Sequence, residues 1–248
     1  MRIITYTNAW NWKGTIALAW SLIKNSALDE IKLTVTTDEK IDEKLLDQLR
    51  AFIDFDLIDL RAIGHFEYTG AVKEERYRGI IQKMMVLALP YEEKLYYIDT
   101  DIICMRSLQA AQDFDHLTVC PAMGGNLNWT IMGHPWFSTG AFIYRASRAL
   151  LDDMQAFVKS ESKPFLIVEE EIFNRYFWSH SPEIIHLLSP EWMGYKQLLM
   201  KHPAMWKRYN PRLVHFAGKK PWIGSERGCE SIEAAWSQLY HEALKAKR

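Results

Sequence analysis

Cysteine is scarce in this chain. Cys104, Cys120 and Cys229 are its three cysteines among 248 residues. That is too few for a disulfide framework, and none stands in a CxxC pair, so a structural zinc site is not expected either. Long apolar runs are lacking too, since none approaches the roughly 20 residues that a membrane-spanning helix needs. The opening MRIITYTN enters a strand-like run without a signal-peptide pattern, so a cytoplasmic, reducing setting is expected. Charge of either sign is not in excess: 30 Lys and Arg against 31 Asp and Glu leave −1. A chain so balanced is not a general nucleic-acid or membrane-surface binder by bulk charge. Internal repeats and low-complexity linkers are absent. What remains is globular composition, with 48% hydrophobic and 25% charged residues, at a length ordinary for one α/β domain. Ten tryptophans stand out. They imply a large core, or stacking platforms for sugars or bases.

Strand-like and helix-like segments alternate. Arg2–Thr7, Ile31–Thr36, Leu57–Ile63 and Lys94–Ile98 predict strands. Helical spacing of apolar residues predicts helices over Lys13–Lys24, Asp42–Phe52 and Tyr77–Leu89. This order predicts a mainly parallel sheet with helices on both faces. Further along, Gly124–Pro135 reads as a long loop and Ser138–Tyr144 as a strand, with helices over Ala146–Ser160, Val168–Trp178 and Glu230–Ala246.

Four places could carry chemistry. Asp99-Thr100-Asp101 follows the apolar run Leu95–Ile98. In a parallel sheet ligands gather at the carboxyl ends of strands, and two acids spaced i and i+2 can reach one hard cation such as Mg²⁺ or Mn²⁺. His215, in LVHFAGKKPW, follows a strand end and precedes Gly218, Lys219 and Lys220. An imidazole can complete a carboxylate metal site, and a Gly-Lys-Lys turn can hold phosphate oxygens; the plainer alternative is a hydrogen-bonded structural histidine. Glu169-Glu170-Glu171 heads a helix, where acids favourably meet the helix dipole or accept from sugar hydroxyls. Thr7-Asn8 ends the first strand, where a nucleotide base would sit, and Asn8 or Asn11 equally suits a helix N-cap. One stretch is lopsided in charge: Trp192–Ser225 holds no acid but carries Lys196, Lys201, Lys207, Arg208, Arg212, Lys219 and Lys220. It reads as a site for an anionic ligand or as a solvated basic face.

In order and spacing these segments resemble glycosyltransferase family 8, the retaining family that includes glycogenin and bacterial lipooligosaccharide galactosyltransferases. The resemblance runs from Ile3 to about Trp222. Thr7–Leu22 is similar to the family's opening strand, loop and helix. IDTDI resembles its metal-binding DxD. Lys83 stands sixteen residues before Asp99, where the family has a donor-contacting basic residue. FSTGAFIY (Phe137–Tyr144) resembles its FNSG strand, EEEIFNRYF (Glu169–Phe177) its DQDxxN helix, and HFAGKKPW its HFxGxxKPW. Three departures stand out. Only Lys219 lies between Gly218 and the Lys-Pro-Trp triplet, Ser138 replaces an Asn, and Glu170 replaces a Gln that lies near the anomeric carbon in the family.

The resemblance implies a single GT-A (Rossmann-like) α/β domain with the DxD at a strand's carboxyl end. Residues 1–101 would form the nucleotide-binding half, 102–225 the donor-sugar and acceptor half, and 226–248 a terminal helix. It implies a metal-dependent retaining hexosyltransferase using a UDP-sugar, UDP-glucose or UDP-galactose, and an acceptor hydroxyl on a glycan, a lipid-linked molecule or another group. Asp99, Asp101 and His215 would bind Mn²⁺ or Mg²⁺. Thr7, Asn8 and Thr100 would hold the nucleotide. Lys83, Gly218 and either Lys219 or Lys220, with Lys220 favoured, would meet the diphosphate or donor sugar. Glu169 and Glu170 would lie by the sugar. Retention would follow same-face attack or a covalent intermediate on Glu170. Two rival classes differ in specific ways. Aspartate-nucleophile phosphatases carry DxD on the first strand and a later Gly-Asp pair; here about 98 residues precede Asp99 and no Gly-Asp occurs. A catalytically silent sugar-nucleotide or carbohydrate-binding module would be consistent with the changes at Ser138 and Glu170. Trp10, Trp12, Trp129 and Trp136 suit either sugar stacking or packing.

Overall fold

The computed structural model describes residues 1–68, 80–123, 130–161, 165 and 168–246. Strands β1 (Arg2–Tyr6), β2 (Lys32–Thr37), β3 (Phe55–Asp59) and β4 (Lys94–Ile98) pair in parallel, in the spatial order β4-β1-β2-β3. Beyond β4 the sheet continues with the long strand Phe137–Arg145, then Thr118–Pro121, then His186–Leu187. The long strand alone runs antiparallel to its neighbours, so the seven-stranded sheet is mainly parallel, as expected.

Alternation of side chains divides two cores between the faces. Ile3, Tyr96 and Ile98 join the cluster holding Ile16, Leu18 and Leu22 of helix α1 (Trp12–Asn25). Ile4, Leu95 and Tyr97 join the cluster holding Met84, Met154 and Phe173 on the other face. Strands buried on both faces read as continuous apolar runs, which explains KLYYI.

Several expected elements change form. The run Leu57–Ile63 is not one strand: β3 ends at Asp59, whose carboxylate accepts from the Arg61 N–H at 3.0 Å and caps the short helix Leu60–Ile63. Asp42 likewise caps Glu43–Arg50, trimming the helix expected over Asp42–Phe52. Within the expected helix Tyr77–Leu89, residues 77–79 lie outside the described ones, and Ile81–Ala88 is wound as a 3-10 helix. Its residues Ile81 through Leu87 are all buried, so packing rather than amphipathic spacing sets its winding. Of the expected loop Gly124–Pro135, residues 124–129 lie outside the described ones, while Thr130–Ile131 and His134–Pro135 pair as a hairpin. Met132 and Gly133 turn it with φ of 54° and 81°.

A second sheet was not anticipated. β5 (Ile102–Cys104), directly after the DTD triplet, pairs antiparallel with β7 (Leu213–His215), and β7 pairs in parallel with β6 (Met193–Tyr195). The terminal helix Glu230–Lys245 packs through Trp236 and Leu239 against Ala17, Ile103 and Val214, and Trp20 Nε1 donates to Glu242 Oε2 at 3.1 Å. Among the described residues, no helix is long and apolar enough to cross a membrane.

Candidate active site

β4 ends at Ile98, and the chain turns sharply at the carboxyl edge of the parallel strands. The Asp99 N–H donates to the Gly140 carbonyl at 2.7 Å, and the Ile102 N–H returns to the Asp99 carbonyl at 3.1 Å. This turn moves the chain from the large sheet into the small one. There Ile102 is in register with His215, and the Phe216 N–H donates to the Asp101 carbonyl at 2.9 Å. His215 is thereby brought to the DxD triplet by strand pairing, with Nε2 at 3.3 Å from Asp101 Oδ1. Asp99, Asp101 and His215 each offer a ligand atom, all within 4.8 Å of one another.

Two lysines flank this cluster. Lys83 projects from the 3-10 helix and is 2% exposed. Its Nζ lies 3.0 and 3.1 Å from the Asp99 oxygens, 3.8 Å from Glu169 Oε1 and 4.7 Å above the Tyr97 ring. The Tyr97 hydroxyl donates to Asp99 Oδ1 at 2.6 Å. Lys220 Nζ donates to Asp101 Oδ2 and, at 3.4 Å, to the Phe216 carbonyl. Electrostatics follow from this arrangement. Burial opposes the charge on Lys83, but Asp99 and Glu169 outweigh it and raise its pKa. Burial pushes the Asp101 carboxyl up, but His215 and Lys220 outweigh it and hold the group well below the usual carboxylate range.

Glu169 and Glu170 are turned toward the sheet. The Glu170 carboxylate accepts from Trp136 Nε1 at 2.6 Å and from the Thr139 N–H at 3.4 Å. Burial, with Glu169 adding its charge, pushes Glu170 up to about 7. Burial raises Glu169 as well, although Lys83 opposes it. Asn174, one turn on, donates to the Phe137 carbonyl at 2.7 Å and accepts from the Phe137 N–H at 2.8 Å, which docks this helix against the long strand. Helix-dipole stabilisation alone does not describe these two acids.

Other expected contacts differ. Thr7 is fully buried with Oγ1 at 2.7 Å from Thr15 Oγ1, so its hydroxyl is committed to the fold. Asn8 Oδ1 accepts from the Asn11 N–H at 2.9 Å, the N-cap alternative. Thr100 is buried with its carbonyl against Gly14. Gly218 adopts φ of 82°, which favours glycine. Lys219 is turned away: its Nζ donates to the Ser225 carbonyl at 2.8 Å, so Lys220 is the lysine that reaches the cluster. The acid-free segment is not one basic face. Lys196 is fully buried, Arg212 donates to the Ser107 carbonyl at 2.5 Å, and Lys201, Lys207, Arg208 and Lys219 are exposed with no ion pair among the described residues. Of the four tryptophans considered for stacking, Trp12 is core and Trp136 holds Glu170. Trp10 is 57% exposed beside Trp222, and Trp129 lies outside the described residues.

Two glycines escaped the sequence reading. A Cβ at Gly14 would lie 2.4 Å from the Thr100 carbonyl oxygen and 2.8 Å from the Trp222 ring, so only glycine lets α1 approach the triplet. Gly140 has the same role under His215. For Gly140 the available signal was a glycine inside a strand, which marks close approach.

The donor set suits a hard divalent cation: carboxylate oxygens with one imidazole. His215 Nδ1 is buried without a hydrogen-bond partner, so the ring's polar capacity is not exhausted by the protein. Asp99, Asp101 and His215 would hold such an ion.

No protein-family model and no curated protein sequence matches the chain. Its fold, however, is that of GT-A glycosyltransferases. The galactosyltransferase LgtC, solved in complex with donor and acceptor sugar analogues, superposes with a TM-score of 0.71 at 15% identity, covering 98% of this chain and 96% of LgtC. The bifunctional glycosyltransferase WbbM superposes at 0.70 and 14% identity over all of this chain, which spans 51% of that one. GlyE of Streptococcus pneumoniae superposes at 0.67 and 14% identity, covering 99% and 64%.

Proposed function

We propose that this protein is a metal-dependent retaining glycosyltransferase that moves a hexosyl group from a UDP-sugar to an acceptor hydroxyl. The observation that carries this reading is the convergence of Asp99, Asp101, His215, Lys83 and Lys220 at the carboxyl edge of a GT-A sheet. Nothing in a simple fold requires two carboxylates, one of them buried, an imidazole and two lysines in one place, and a diphosphate with its counter-ion explains all five. In this reading residues 1–101 hold the nucleotide and 102–225 the donor sugar and acceptor. The terminal helix braces the small sheet.

A bound Mn²⁺ or Mg²⁺ would supply positive charge beside the diphosphate. The chain's own residues do the rest. Lys83 and Lys220 exchange their carboxylate partners for phosphate oxygens when the donor binds, and so are in place as the bond from the anomeric carbon to UDP breaks and the electron pair leaves with UDP. Donors fixed before reaction stabilise such developing charge without reorganisation. Glu170, held by Trp136 and the Thr139 N–H, faces the sugar and stabilises positive charge on the ring or attacks the anomeric carbon; two inversions then give retention. UDP-glucose and UDP-galactose are the donors expected.

Incubation with a panel of UDP-sugars and Mn²⁺, followed by quantification of UDP, tests the reading. UDP release that stops on chelation is expected. Metal-dependent binding of UDP-sugar with no release, with or without acceptors, would leave a binding module in place of an enzyme.

A further inference from the structure

The turn that delivers Lys220 to Asp101 is itself held from behind. β6 and β7 run in parallel with Tyr195 in register with His215, so the next two residues, Lys196 and Gln197, are carried alongside the turn that follows His215. Gln197 Nε2 donates to the Ala217 carbonyl at 2.7 Å. Lys196 Nζ donates to the Lys219 carbonyl. These two carbonyls bracket Gly218, whose left-handed φ of 82° is one that glycine adopts without steric cost. Lys196 is fully buried, and its ammonium is paired with Glu226 at 2.5 Å. The backbone N–H of Glu226 in turn donates to both oxygens of buried Glu233 at 3.1 Å. A wholly buried ammonium is costly unless it is paired and hydrogen-bonded, and here its partners are the turn itself and the segment that follows it.

From this geometry we infer that Lys196 and Gln197 are positioning residues for the phosphate-binding turn. They clamp the carbonyls on either side of Gly218, which sends Lys220 inward to Asp101 and Lys219 outward to Ser225. The inference rests on the function proposed above in one respect, the diphosphate as the ligand that Lys220 meets. Neither residue touches the cluster, and each acts through the backbone of residues 217–220.

The test uses Lys196→Met and Gln197→Met in the full chain. The second variant keeps the buried ion pair, so a folding defect in the first does not close the question. Two measurements are made on each: hydrogen exchange of residues 216–222, and NMR-observed titration with UDP and with uridine in the presence of Mn²⁺. Faster exchange confined to the turn is expected. UDP affinity should fall at least tenfold, about 1.4 kcal/mol, while uridine affinity changes less than twofold. Exchange unchanged in Gln197→Met, or equal losses for UDP and uridine, overturns the inference. If the unmodified protein binds no UDP, the proposed function fails on that ground, and the exchange data still decide whether the clamp holds the turn.

Discussion

The backbone of Gly140 is the floor on which the His215 ring rests. A Cβ at residue 140 would lie 2.7 Å from His215 Cε1 and 2.9 Å from Nδ1. Gly140 also accepts from the Asp99 N–H, so one residue of the long strand sets both the imidazole and the start of the DxD triplet. Gly140→Ala should therefore displace His215 while leaving the sheet intact. Overpacking of this kind costs about 1–3 kcal/mol of stability. Mn²⁺-dependent UDP binding should weaken at least tenfold, as read by calorimetric titration beside a thermal melt. Retention of full affinity with a lowered melting temperature would show that the ring's position does not matter to the ion.

Lys220 and a divalent cation compete for Asp101, because the lysine already neutralises the carboxylate that the ion needs. A diphosphate gives the displaced ammonium a new partner. Lys220→Met should consequently have effects of opposite sign. Mn²⁺ alone should bind at least threefold more tightly, and UDP in saturating Mn²⁺ at least tenfold more weakly. Titrations with and without nucleotide decide this, and a loss in both would make Lys220 a simple structural support.

Asp101 is the residue on which the cluster turns, since it faces His215 on one oxygen and Lys220 on the other. Asp101→Ala removes one of three hard or borderline ligands and should abolish Mn²⁺-dependent UDP binding. The melting temperature should fall, because Lys220 and His215 lose a buried partner. Isothermal titration of the folded variant is the check, and unchanged metal dependence would remove Asp101 from the ligand set.

Much of this was legible in the sequence because the signals were local. Runs such as KLYYI are buried on both faces and announce parallel strands, and the DTD triplet follows one of them directly. What was not legible depends on pairing across the chain. The small sheet that brings His215 to Asp101 is built from strands of three residues, too short for a periodicity signal. The choice between Lys219 and Lys220 depends on which carbonyls fix the Gly218 turn, and those partners lie at residues 196 and 197. Thr7 is expected as a nucleotide contact from its place at the end of the first strand, and the sequence gives no sign that its hydroxyl lies 2.7 Å from that of Thr15.

Glu170 joins acid-base behaviour to the proposed chemistry. Burial and Glu169 lift its pKa from an ordinary 4.5 to about 7. Between those values the folded protein keeps a proton that the unfolded chain has lost. Stability therefore falls as pH rises from 4.5 toward 7 and levels off above it. Glu170→Gln carries no titrating proton, so it should be more stable than the parent at pH 8, with the difference shrinking toward pH 4.5. Activity should move the other way. A carboxylate beside the sugar stabilises positive charge or forms a covalent bond, and the amide does neither well. Sugar transfer should slow at least tenfold, about 1.4 kcal/mol in the barrier. The parent's kcat/KM, which reports the free enzyme, should rise with an apparent pKa near 7, and this limb should vanish in the variant. Single-turnover rates at saturating donor, with melts at pH 5 and pH 8, measure both sides. Equal rates combined with the predicted gain at pH 8 would leave Glu170 a strained structural acid and assign the chemistry to the lysines and the metal ligands.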